Sequence, residues 1–143
     1  MSIKQLSIFV ENRAGRLAEI TSAIAATGID IHALSIADTT NFGILRLIVD
    51  KPDEAEKALK AAGLTVSLTD VIAIGIPNTP GGFAVAARAL ADASVTIEYM
   101  YAFISPEQGR AWVILRVDDN DKATVALQEH DIEILGEDKV YRL

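Results

Sequence analysis

At 143 residues the chain can form one ordinary domain or two very small ones. Half the residues are apolar and 23% are charged, which suits a packed soluble core rather than disorder. With no cysteine and 13 Lys and Arg against 20 Asp and Glu, a net charge of −7, disulfides, thiolate metal sites and a nucleic-acid partner are argued against.

Residues 3–10 alternate apolar and polar with period two, as a strand with one buried face does. The turn Asn12-Arg13-Ala14-Gly15 leads into a helix with Leu17, Ile20 and Ile24 on one stripe, stopped by Gly28 as a left-handed C-terminal residue. Residues 31–37 and 43–50 read as a hairpin turning through Asp38-Thr39-Thr40-Asn41-Phe42. Pro52 suits a first helical turn, and Ala55, Ala58, Leu59 and Ala62 carry a second helix to Gly63. A short strand is expected at 64–68. Beyond Leu68-Thr69-Asp70, strands are predicted at 71–76, 95–103, 110–117 and 132–135, with helices at 81–92 and 120–130.

The second half repeats the first. Gly15 maps onto Gly81, a displacement of 66 residues that also carries Leu6, Ile8 and Val10 onto Ile72, Ile74 and Ile76. After the middle hairpin the displacement is 68, and Leu45, Leu47 and Val49 meet Val113, Leu115 and Val117. Duplication predicts an α+β fold of two ferredoxin-like β-α-β-β-α-β units, residues 1–69 and 70–143, each with helices on one face of an antiparallel sheet. The opposite face carries Ile44, Arg46 and Ile48 in one unit and Trp112, Ile114 and Arg116 in the other. Both parities are apolar around Tyr99 and Tyr101, so that strand's facing stays open. A greasy uncovered face is expected to form a symmetric homodimer.

The strand-to-helix turns are the best site candidates. A helix N-terminus presents unpaired N–H groups and partial positive charge, which suit a carboxylate. Gly15 and Gly81 permit close approach, and Asn12 and Asn78 can donate and accept hydrogen bonds, although the same residues also serve as ordinary caps and turns. Enzyme signatures are lacking. His32 and His130 form no H-E-x-x-H pair, and neither G-x-S-x-G nor a P-loop occurs. The acids Asp118, Asp119 and Asp121 read as helix capping rather than a calcium loop.

The stretch Glu11-Asn12-Arg13-Ala14-Gly15-Arg16-Leu17, followed by Gly28-Ile29-Asp30-Ile31, resembles the opening of an ACT domain, whose pattern is Asn-x-Pro-Gly-x-Leu, a helix, then Gly-(Ile/Val)-Asn-Ile. Asn78-Thr79-Pro80-Gly81-Gly82-Phe83 resembles the loop more closely, but Thr96 stands at the second box. Together the two units resemble a stand-alone tandem ACT-domain protein. That resemblance implies a non-catalytic regulatory protein that binds an amino acid or similar carboxylate between ACT units and controls a partner enzyme. It also implies the ligand-binding set Asn12, Ala14, Gly15, Arg16, Leu17 and Asp30, with Asn78, Thr79, Pro80, Gly81, Gly82, Phe83 and Thr96. Ala14 in place of Pro, and Asp30 and Thr96 in place of Asn, predict two unequal sites. No cofactor, metal or catalytic residue is expected. The protein is expected to be cytoplasmic, since no apolar run reaches the roughly 18–20 residues of a membrane span and no signal peptide is recognised. The alternatives are an accessory assembly subunit that docks an enzyme without a ligand and, more remotely, a small enzyme of unrecognised type.

Overall fold

The computed structural model describes residues 2–38, 41–104 and 108–142, so Thr39 and Thr40 of the first hairpin turn lie outside the described residues. The chain divides into two compact units, Lys4–Thr69 and Asp70–Leu143, the latter taking in Met1–Ile3. The first unit holds β1 (Ile3–Glu11) from Lys4 onward, α1 (Arg16–Ala26), β2 (Ile31–Asp38), β3 (Phe42–Val49), α2 (Pro52–Ala61) and the start of β4 (Thr65–Pro77). Its strands run in the order β2-β3-β1-β4, with Ser7 Oγ 3.0 Å from Thr69 Oγ1. The antiparallel register pairs Leu6 with Leu47 and Ile8 with Leu45, placing all four on one face. Ile20 and Ile24 of α1 and Ala55 and Leu59 of α2 close over that face. Full burial of each such Leu or Ile contributes about 1.5–3 kcal/mol, so the alternation in β1 and the stripe in α1 choose the same core.

The second unit repeats the arrangement with the rest of β4, α3 (Gly82–Asp92), β5 (Ile97–Ala102), β6 (Arg110–Val117), α4 (Asn120–Glu129), β7 (Glu133–Leu135) and α5 (Glu137–Val140). The order is β5-β6-β4, with β7 on the other side of β4. Ile72, Ile74, Val113 and Leu115 pack beneath Ala86, Leu90, Ala123 and Leu127. Asp119 caps α4 by accepting from the Lys122 N–H at 3.0 Å, the capping role expected of that acidic run. Both units are therefore ferredoxin-like, antiparallel and α+β.

Three features differ from expectation. The strands at 64–68 and 71–76 are one continuous strand, β4, because Leu68, Thr69 and Asp70 stay extended instead of turning. A short helix, α5, follows β7, with Val140 fully buried. The sheet face expected to be open is buried at Ile48 and Ile114, both 0% exposed, and at Trp112, 6% exposed. Alternation assigns a residue to a face but does not say whether that face meets water. What remains exposed there is Phe9, stacked on Phe42 at 5.0 Å between ring centres, with Ile44 beside them. Register also places Tyr99 opposite Arg116 and Tyr101 opposite Ile114, so both tyrosines share the face away from the helices.

Candidate functional site

The turn from β4 into α3 is built by backbone needs. The Asn78 N–H donates to the Gly109 carbonyl at 3.1 Å, which ties the turn to the β5–β6 hairpin. Gly81 then adopts the left-handed region, φ 81°, and stands at the N-cap without any side-chain cap. Gly82 donates its N–H to the Thr79 carbonyl at 3.0 Å, and a Cβ at Gly82 would collide with the Pro77 carbonyl. Asn78 is thus a backbone anchor rather than a helix cap. The helix start is left open, with first-turn N–H groups that have no partner inside the helix.

A cavity of about 380 Å³ opens beside this turn, at the lower end of the roughly 300–1,000 Å³ usual for small-molecule sites. Ile76, Pro77, Pro80, Val85 and Ile132 give it apolar walls, while Arg110, His130 and Asp131 bring polar groups. Arg110 is fixed by Glu133, Nη2 to Oε1 at 3.0 Å, and Glu133 also accepts from Lys139 Nζ at 2.7 Å. The Lys139 hydrogen bond, helped by the Arg110 guanidinium, holds the Glu133 carboxyl below the usual glutamate range against its partial desolvation. Gly75 makes the ion pair possible, since a Cβ there would stand 2.6 Å from Glu133 Oε1 and 3.1 Å from Arg110 Nη2. His130 caps the end of α4, with Nδ1 donating to the Ala126 carbonyl at 2.9 Å. Asp131 follows at φ 57°, in the left-handed region that Gly63 occupies at the matching place in the first unit.

The turn from β1 into α1 shares the backbone scheme but not the chemistry. The Asn12 N–H donates to the Asn41 carbonyl at 2.9 Å, and Gly15, φ 83°, is the N-cap. Ala14 and Leu17 are exposed. Arg16 donates from Nη1 to Glu19 at 3.0 Å, and Arg13 reaches the same carboxylate at 3.4 Å. The Arg16 hydrogen bond first, and the charge of Arg13 next, hold Glu19 below its usual pKa range. Arg16 Nε is screened from solvent without a partner.

Asp30 and Thr96 stand away from the turns of their own units. Each gives its backbone N–H to an acid at the end of the neighbouring strand, Asp30 to Asp50 and Thr96 to Asp118, both at 3.0 Å. Along β6 the pairing runs from Arg110 opposite Pro77 to Val117 opposite Ile97, seven residues or roughly 23 Å at about 3.3 Å each. Neither residue joins its own turn. His32 is buried at 6% exposure, with Nδ1 3.8 Å from Asp30 Oδ2.

Arg110, His130, Asp131 and Ile132 escaped the sequence reading. A signal was present, because the 68-residue displacement sets Arg110 against Phe42, His130 against Ala62 and Asp131 against Gly63. Polar groups appear in the second copy where the first has apolar or small residues. Among the described residues no group of three His, Cys, Asp or Glu is placed to hold a metal ion. No helix among them is long and apolar enough to cross a membrane.

The sequence matches the family described as an ACT domain pair over residues 1–143. A crystallised protein of Bacteroides thetaiotaomicron is 43% identical, with a TM-score of 0.93 over 100% of this chain and 98% of that one. The ligand-free regulatory subunit of aspartate kinase from Thermus thermophilus shares the fold at 19% identity, with a TM-score of 0.66 over 89% of this chain and 91% of that one. The aspartate kinase of Synechocystis matches at 20% identity and a TM-score of 0.60, over 95% of this chain but 27% of that one. None of the curated proteins matches.

Proposed function

Because this chain belongs to the ACT domain pair family, we propose that it is a non-catalytic regulatory protein that binds an amino acid or similar carboxylate and controls an enzyme of amino-acid metabolism. Its two ACT domains are residues 1–69 and 70–143. The observation that carries this reading is the cavity beside Gly81, where an uncapped helix start, a fixed guanidinium and apolar walls meet. A carboxylate is favoured at such a helix start by the dipole and the unpaired N–H groups. The likeness in shape to a regulatory subunit of aspartate kinase favours a separate enzyme as the regulated partner. Control would operate by linkage, the ligand favouring whichever arrangement binds it better.

The protein is further proposed to act in the cytoplasm as a homodimer. Phe9, Phe42 and Ile44, 50%, 42% and 37% exposed, form an apolar surface that supports self-association. The same surface favours the second reading, an assembly subunit that docks an enzyme and binds nothing in its turns.

A thermal-shift screen of the full chain against the standard amino acids separates the two. A ligand at about 100 times its Kd adds about 2.7 kcal/mol, a shift of several degrees for a chain of this size. Gly81→Val, which strains the left-handed turn, is expected to abolish that shift, and Gly15→Val to show whether the first turn contributes. The absence of a shift from every amino acid would favour the assembly subunit.

A further inference from the structure

We propose that, of the two repeats, only the second holds an apolar α-amino acid, Arg110 taking the carboxylate, Asp131 the ammonium, and Val85 and Ile132 contacting the side chain. This rests on the amino-acid reading above and narrows it to one repeat, one ligand class and two charged residues outside the family motif.

The charges favour a zwitterion. Glu133 is shared by Arg110 and Lys139, so the three groups sum to one positive charge. A guanidinium carries five N–H donors, and the Glu133 bond at 3.0 Å occupies one Nη of Arg110. The remaining donors can form the charge-assisted bonds that a second carboxylate requires. Asp131 lines the same cavity, is exposed, and makes no side-chain hydrogen bond or ion pair among the described residues. An ammonium would supply the opposite charge that its carboxylate lacks. The rest of the cavity wall includes hydrocarbon from Ile76, Val85 and Ile132, which suits an aliphatic or aromatic side chain better than a charged one.

The first repeat cannot make this arrangement. Phe42 stands in place of Arg110 and Gly63 in place of Asp131, so neither charge is present. In place of Val85 it has Glu19, whose own carboxylate is already held by Arg16 and Arg13. One ligand per chain follows, whereas a family-wide reading of both turns gives two.

Isothermal titration of the full-length protein with L-valine, L-leucine, L-isoleucine and L-phenylalanine tests this. The result expected is one site per chain for the best of the four. Its amide, which lacks the carboxylate, and its deaminated acid, which lacks the ammonium, should each bind about tenfold to a hundredfold more weakly, as hydrogen bonds to charged groups are worth. Arg110→Met and Asp131→Asn should each weaken the parent amino acid by a similar factor. Arg88→Met, which removes an exposed charge on the outer side of α3, should not. The analogue series needs no mutation, so a variant that folds poorly does not protect the proposal. Two sites per chain, or binding that ignores both analogues or both variants, overturns the proposal and leaves the amino-acid reading standing. Binding confined to charged or polar amino acids in a wider panel overturns it likewise. No binding by any standard amino acid overturns both.

Discussion

The turns at Gly15 and Gly81 follow one backbone plan and present opposite surfaces. In each, an Asn N–H is tied to a hairpin carbonyl and a left-handed glycine starts the helix without a side-chain cap. Around Gly15 the charged side chains pair with one another, Arg13 and Arg16 closing on Glu19. Around Gly81 the corresponding positions are Thr79, Gly82 and Val85, and the space they leave is walled by groups from β6 and from the end of α4. A duplicated fold keeps its core because both copies must bury the same face. It need not keep a surface turn, which only has to connect strand to helix. The first turn carries its own carboxylate, Glu19, paired with Arg13 and Arg16, whereas the second has Val85 at the matching place.

If the copies are equal in their cores and unequal at their turns, matched substitutions should show it. Leu47→Ala and Leu115→Ala remove fully buried side chains at equivalent places, and each should cost about 2–5 kcal/mol by denaturant melts. Values several kcal/mol apart would mean that the cores are not equivalent. Gly82→Val drives a side chain into the Pro77 carbonyl and should cost about 1–3 kcal/mol while removing ligand binding. Arg16→Val, at the matching place where a Cβ is already accommodated, creates no such collision and breaks one exposed ion pair, so stability should change by less than about 1 kcal/mol.

Asp131→Gly should raise the melting temperature by a few degrees, because a left-handed non-glycine residue costs about 1 kcal/mol, and should weaken amino-acid binding at the same time. Gly63→Asp is the mirror experiment and should only destabilise. A stabilised Asp131→Gly protein that binds normally would remove Asp131 from the site.

The smallest effect is expected in acid. Glu133 and Glu19 both titrate below the usual glutamate range in the folded chain, so each contributes stability that is present above that range and lost as pH falls through the lowered value. Glu133→Gln should therefore flatten the acid limb of a stability–pH curve. Glu19→Gln should flatten it less, because the Glu19 side chain is more exposed to solvent, 54% against 35% for Glu133. The reverse order would place the stronger ion pair at the first turn.

Most of the fold could be read from local pattern. Period two in β1, the stripes in α1 and α2, and Gly28 and Gly63 closing helices are consequences of strand geometry, helix geometry and the left-handed region, each acting over a few neighbouring residues. The turns at Gly15 and Gly81 were legible for the same reason. Duplication then supplied the topology, since two copies of one pattern must solve the same burial problem in the same way.

What the linear chain left open depends on distant neighbours. Asp70 remains extended because β4 has strands to pair with, although an Asp following Thr69 suits a turn equally well. Ile48, Trp112 and Ile114 lie on the face that alternation assigned them, yet their burial follows from what covers that face. The cavity brings Gly75, Arg110 and Asp131 together from two strands and the turn after α4, and a glycine, an arginine and an aspartate so far apart in sequence carry no shared signal. Periodicity is a property of neighbours along the chain, whereas burial and electrostatic pairing are properties of neighbours in space. The repeats and their cores were therefore written in the sequence, and the difference between the two turns became visible only when the chain was folded.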